Sequence, residues 1–239
     1  YTPAHARAGR QRGIVLCPPW GPEYLRAHRS LHQLGRLLAE AGFHVLRFDY
    51  HGTGDSAGDQ AGATLEGWVD DIGTALDELK DTAGLQRVGL LGLRLGGSLA
   101  LRAATRRRRD VDALVLWDPV LSGADHLAEL RRLEAQALDT HDMKADPDEL
   151  LGFPLTPTQA LELQALRLLE PAPAWPARTL VTVSQALADH AVLREALGQV
   201  PGAALVEVPG QPAWIEDRHS GAGAVPVRQL QGVVQWLNT

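Results

Sequence analysis

Five consecutive residues, Gly92-Leu93-Arg94-Leu95-Gly96, have the spacing of a nucleophile elbow, where a strand turns sharply into a helix around one reactive side chain. Glycines on either side of the centre let strand and helix approach closely. In a working elbow the centre is Ser, Cys or Asp, activated by a histidine that an acid orients. Here it is Arg94, whose guanidinium stays protonated and has no lone pair for attack. Acyl transfer through this position is therefore closed. A helix N-terminus already favours an anion through its free N–H groups and dipole, and a guanidinium adds a bidentate donor for carboxylate or phosphate. Arg94 thus reads either as an anchor for an anionic or acyl ligand, or as the partner of an internal acid.

Other nucleophiles stand outside any elbow. Ser122 follows an apolar run at the presumed cleft edge and is the candidate displaced nucleophile; a loop or helix-cap role is the plainer alternative. Ser98 lies four residues after Arg94, one helical turn deeper, where a small residue packs. Ser56 fits a turn, and Cys17 ends a buried run where cysteine behaves as a small apolar residue.

The elements that must position these residues alternate. Short runs rich in Val and Leu occur at Gly13–Cys17, His44–Phe48, Arg87–Leu91, Ala113–Trp117, Thr179–Val183 and Ala204–Val208. Their mostly continuous apolar character is that of strands buried on both faces of a parallel sheet. Helical periodicity covers Ser30–Ala41, Leu65–Leu79, Leu95–Arg106, Val192–Leu197 and Val227–Leu237. The alternation implies an α/β fold with a doubly wound, mostly parallel sheet. Between Ser122 and Pro176, about 55 residues carry no strand pattern but two helical ones, Ala124–Leu138 and Pro157–Leu169. We read residues 122–176 as a helical cap over the strand ends, where ligands of open α/β sheets bind, and residues 1–121 and 177–239 as the core.

Four stretches together resemble the α/β-hydrolase superfamily: Leu16-Cys17-Pro18-Pro19-Trp20-Gly21, the loop from Arg47 to Ser56, the elbow, and Leu116-Trp117-Asp118-Pro119-Val120. The Asp49–Ser56 loop is similar to the Asp-x-x-Gly-x-Gly-x-Ser loop of serine aminopeptidase-like and acyl-ester hydrolases. Gly92–Gly96 and Pro212-Ala213-Trp214 resemble more narrowly the hydrolase-like proteins associated with bacterial exosortase systems, in which arginine at the elbow is familiar.

By that resemblance the acid follows the fifth core strand, at Asp189, and the base follows the sixth, at His219, with His190 as an alternative base. The usual Gly-x-x-Asp loop after Val183 is absent, and an exposed loop is the plainer reading of His219. Asp189 or Glu216 would be the internal partner of Arg94. Oxyanion donors would be the Leu95 N–H and that of Trp20 or Gly21, because Pro18 and Pro19 have none. Trp20 would wall the pocket and His51 would line it. The resemblance implies either a protein that binds an acyl or anionic small molecule under the cap, or an ester, thioester or peptide hydrolase using Ser122 with His219 or His190.

Composition sets the outer bounds. The chain of 239 residues is 45% apolar, enough for one large core. A formal charge of −6 and the lack of a basic stripe give no reason to expect nucleic acid. The single cysteine rules out an internal disulfide and suits a reducing compartment, so the cytoplasm is expected. No apolar run approaches the ~20 residues of a membrane span. The chain starts at Tyr1, so a removed leader is compatible with it, as is a homodimer. No cofactor is implied, and no metal-ligand pair has a third partner.

Overall fold

The computed structural model describes residues 1–5, 12–141, 144–185, 190–216 and 223–239. Strands β1 (Arg12–Cys17), β2 (Phe43–Arg47), β3 (Val88–Leu93), β4 (Val111–Trp117), β7 (Thr179–Val183) and β8 (Ala203–Glu207) form one parallel sheet in the order β2-β1-β3-β4-β7-β8. β1 lies one strand in from the edge; from it the chain winds out to β2, then crosses to β3 and winds the other way. Cys17 pairs with Gly92, and Gly92 with Leu116, so the strand ends that carry the four sequence stretches lie side by side.

The continuous apolar runs divide cleanly between two faces, as a period of two requires. Ile14, Leu16, Leu91, Leu93, Val115 and Trp117 pack in one buried cluster with α1 (Pro22–Glu40) and α7 (Val227–Asn238). Val15, Cys17, Leu90, Leu114 and Leu116 pack in the other, with α2 (Leu65–Ala83) and α3 (Leu95–Arg106). α6 (His190–Gly198) adds Leu193 and Leu197 to this second face. Helix ends follow local chemistry. Thr64 caps α2 by accepting the Gly67 N–H at 2.9 Å, and Gly84 ends it in the left-handed conformation.

Two elements differ from the sequence expectation. α1 begins at Pro22, eight residues before Ser30, because its first two turns bury Glu23 and Ala27 instead of leucines. An apolar stripe does not register a buried carboxylate. The inserted segment between β4 and β7 is not purely helical. After α4 (Gly123–His141) comes a hairpin of β5 (Glu149–Leu150) and β6 (Phe153–Pro154), turning at Leu151 and Gly152 with positive φ. Strands of two residues leave no readable pattern. α5 (Pro157–Ala165) then stops short of Leu169, because Leu166 and Leu168 turn inward to pair with Gly123 and Leu121. No helix of the described residues is long and apolar enough to cross a membrane.

Candidate functional site

Between β3 and α3 the backbone of Arg94 takes φ 53° and ψ −123°, a conformation that L-residues rarely adopt. Its N–H donates to the Trp117 carbonyl at 3.0 Å, and its carbonyl accepts from Gly97 at 2.9 Å. The two glycines are required by contact. A Cβ on Gly92 would lie 2.3 Å from the Gly96 carbonyl oxygen, and one on Gly96 would lie 2.2 Å from that of Pro18. Both obstacles are backbone, so no rotamer relieves them. Gly96→Ala is therefore expected to destabilise the fold by about 2–4 kcal/mol, read by chemical denaturation.

The strained turn aims the Arg94 side chain at a cluster drawn from three elements. Its Nε donates to Glu23 Oε1 at 2.9 Å, Glu23 being the second residue of α1 and 4% exposed. Its Nη2 donates to Glu129 Oε2 on α4 at 3.3 Å and lies 3.2 Å from His126 Nδ1. Above them, the guanidinium carbon sits 4.7 Å from the centre of the Trp214 ring. Because a guanidinium only donates, His126 Nδ1 accepts, and the ring proton belongs on Nε2. That atom and Glu23 Oε2 are 4.0 Å apart, both buried, and neither has a hydrogen-bond partner among the described residues.

Electrostatics follow from this burial. Burial pushes the Glu23 carboxyl above its ordinary range, against the pull of Arg94. Burial also opposes the charge on Arg94, but Glu23 and Glu129 outweigh it and hold the guanidinium firmly protonated. His126 is driven down to about 3, first by burial and then by the neighbouring Arg94 cation. It is a neutral imidazole at any physiological pH.

Arg94, Asp118, Ser122, His126, His190 and Trp214 line a cavity of about 150 Å³. Asp118 follows β4 at φ 43°, and both of its oxygens are occupied. Oδ1 accepts the Ser184 N–H at 2.7 Å, and Oδ2 accepts the Ser184 hydroxyl at 2.6 Å. Burial raises this carboxyl, opposed by the Ser184 hydrogen bonds and by Arg94. Ser122 precedes α4, where its Oγ accepts the Asp125 N–H at 3.3 Å, the arrangement of a helix cap.

The structure separates residues that the sequence suggested belong together. Trp20 and Gly21 line a different cavity, which shares no lining residue with that of Arg94. Leu95 is buried in the first turn of α3, where backbone N–H groups lack intrahelical acceptors. His51 is exposed and packs over Gly58, while its backbone bonds Asp71 and Trp68. Glu216 pairs with Arg26 at 3.6 Å, and the acid that meets Arg94 is Glu23 instead. Asp189 and His219 lie outside the described residues. Sequence reasoning missed Glu23, His126 and Glu129. The available signal was the buried cation itself, which demands a carboxylate nearby.

Comparison with known proteins bears on the fold and the family. Residues 26–152 match the family model described as Serine aminopeptidase, S33 (Hydrolase_4). Human palmitoyl-protein thioesterase ABHD10, mitochondrial, is 33% identical over 107 residues, which are 45% of this chain and 33% of that protein. The match thus spans only about a third of that relative's length. Among solved structures, one from Agrobacterium vitis S4 superposes with a TM-score of 0.65 at 20% identity, covering 99% of this chain and 90% of its own. Mouse α/β hydrolase domain-containing protein 10 gives 0.60 at 18% identity, covering 95% and 89%. With an elbow between β3 and α3, an insertion after β4 and a match over more than half its length, the chain belongs to the serine aminopeptidase S33 family of α/β-hydrolases.

Proposed function

We propose that this family member binds an acyl-bearing small molecule beside Arg94 without hydrolysing it through a Ser-His-Asp triad. The buried 2.9 Å ion pair of Arg94 with Glu23 matches the internal-acid alternative and supports the absence of triad hydrolysis, while the binding half rests on the cavity of about 150 Å³ that Arg94 still lines. The pair fills the position of attack with a permanent cation and fixes that cation in place. Of the two ligand classes expected from sequence, the neutral acyl group is favoured over the free anion. Glu23 and Glu129 already balance the guanidinium, and an anion would have to displace Glu129, the more exposed of the two. The human relative is named a palmitoyl-protein thioesterase, which makes acyl compounds the class to test first.

The narrower resemblance to exosortase-associated proteins belongs to the same proposal. Its two stretches, Gly92–Gly96 and Pro212–Trp214, meet in space where Trp214 covers Arg94. A cytoplasmic site of action is also part of it, consistent with a single, buried cysteine.

One observation favours a second reading: Ser122 and His190 line the same cavity, so a displaced nucleophile would act there. Turnover of p-nitrophenyl butyrate separates the two. The proposal expects no rate above the uncatalysed reaction in the wild type or in Ser122→Ala. Turnover that vanishes in Ser122→Ala but survives Arg94→Ala would establish the second reading.

A further inference from the structure

The sheet has two edges, β2 and β8, and the chain treats them differently. The outer side of β2 is met by the chain's own first residues. Thr2 and Val45 exchange backbone hydrogen bonds of 2.8 and 2.9 Å, and the Tyr1 ring stacks on His44. β8 pairs with β7 in unbroken register from Ala203 to Glu207, and among the described residues nothing pairs with its other side.

Backbone direction identifies the open groups. Val208 donates its N–H to the Val183 carbonyl of β7 at 2.8 Å, and successive residues of a strand point their N–H and C=O groups to opposite sides. Leu205 and Glu207 therefore turn both groups away from β7. Ala203 offers only its carbonyl there, because its N–H is held by the Val200 carbonyl at 3.1 Å. Bare edges are normally blunted by proline, lysine or a bulge. Ala203-Ala204-Leu205-Val206-Glu207 has none of these, and its one charge is tied to Arg194 at 2.7 Å. The strand is also covered from within only. Ala203 and Leu205 are half-buried against the cluster of α2 and α3, Ala204 against that of α7, and Val206 is 44% exposed.

From these features we propose that two copies of this chain associate through β8, the strands running antiparallel about a two-fold axis at Leu205. In that register the two Leu205 residues exchange N–H···O=C bonds, and each Glu207 N–H reaches the partner's Ala203 carbonyl. Every outward N–H then has an acceptor. Val206 faces the partner's Ala204, whose small side chain leaves room for it. An axis at Glu207 would oppose two carboxylates, one at Val206 would set Glu207 against the partner's Leu205, and one at Ala203 would meet an N–H already spent. Because Thr2 occupies the middle of β2, that edge is not free to take β8 of another copy, so the pairing closes at two instead of growing into a filament. The proposal uses no group of the Arg94 cavity, and its failure would leave the function proposed above standing.

Sedimentation equilibrium of the full chain, loaded from about 1 to 200 µM, provides the test, because an edge this short gives a weak interface. The wild type is expected to double its mass toward the top of that range. Leu205→Pro removes an outward N–H that takes no part in the β7 ladder, a placement proline tolerates on an edge strand, and should weaken association at least tenfold. Should that variant fail to fold, Val206→Lys leaves the backbone intact and sets a cation at the most exposed apolar position of the edge, with the same loss expected. Leu161→Lys, at an exposed apolar residue of α5, is the control and should associate as the wild type does. A monomer at every loading, a dimer of unchanged strength in Val206→Lys, or an equal loss in Leu161→Lys would each overturn the proposal.

Discussion

Replacing Arg94 with alanine is expected to cost the fold about 3–5 kcal/mol, the usual consequence of removing one partner from a buried ion pair. The loss falls on Glu23, which is 4% exposed and whose Oε2 accepts no hydrogen bond among the described residues. Truncation also removes the cation from the face of Trp214 and the donor to His126. A Glu23→Leu change in the Arg94→Ala background should recover most of the loss, because no uncompensated charge then remains inside. The double-mutant cycle should give a coupling of at least ~2 kcal/mol. Acid should partly rescue the single variant. Without Arg94, only the upward push of burial acts on the Glu23 carboxyl apart from Arg26, so its folded-state pKa lies further above that of the unfolded chain. A raised carboxyl favours the folded state below its pKa and loses that advantage as pH rises, so the deficit should shrink as pH falls. A cost below ~1 kcal/mol at pH 7, or a deficit that does not change with pH, would show that the pair does not hold the elbow.

The second large effect is an acid transition owned by His126. Its folded-state pKa of about 3 lies well below the unfolded value near 6.5, because burial and Arg94 both oppose a second cation. The unfolded chain therefore takes up a proton that the folded chain refuses between those two values. Stability is fully present above about pH 6.5 and falls as pH drops toward 3, by on the order of 4 kcal/mol at the limit. Glu23 and Asp118, whose carboxyls are raised, act in the opposite sense, so the wild-type curve alone does not isolate the histidine. His126→Leu removes this titration while keeping an apolar body of similar size. Denaturation midpoints at pH 7, 5.5 and 4.5 should fall for the wild type and fall less for the variant. Parallel curves would mean that His126 is open to protonation in the fold.

Both effects depend on residues that sequence reading passed over, Glu23 and His126, and the reason is physical. The stretch Ala113–Trp117 was legible because it is buried on both faces and apolar throughout, and the elbow because its glycines are required by backbone contact. The partners of Arg94 announce themselves in neither way. Glu23 is 71 positions away and replaces an apolar residue on the inner face of α1, while His126 and Glu129 sit 32 and 35 positions away on α4. Only the folded sheet, which brings the end of β1 beside that of β3, places α1 within reach of the guanidinium. Trp20 and Arg94 follow adjacent strands yet line different cavities. Adjacency along a sheet edge was legible, whereas the direction of a side chain leaving a strained turn was not. Helix-capping Ser122 shows the reverse: its plain role was written in the sequence, one residue ahead of α4.

The most direct measurement is intact-mass analysis of the wild-type chain after exposure to an excess of a fluorophosphonate that labels activated serines. An elbow closed by the Arg94–Glu23 pair, with Ser122 engaged in capping α4, should leave the mass unchanged. A single stoichiometric adduct mapping to Ser122 would mean that a hydroxyl in this cavity is activated after all, and the non-hydrolytic reading would fall.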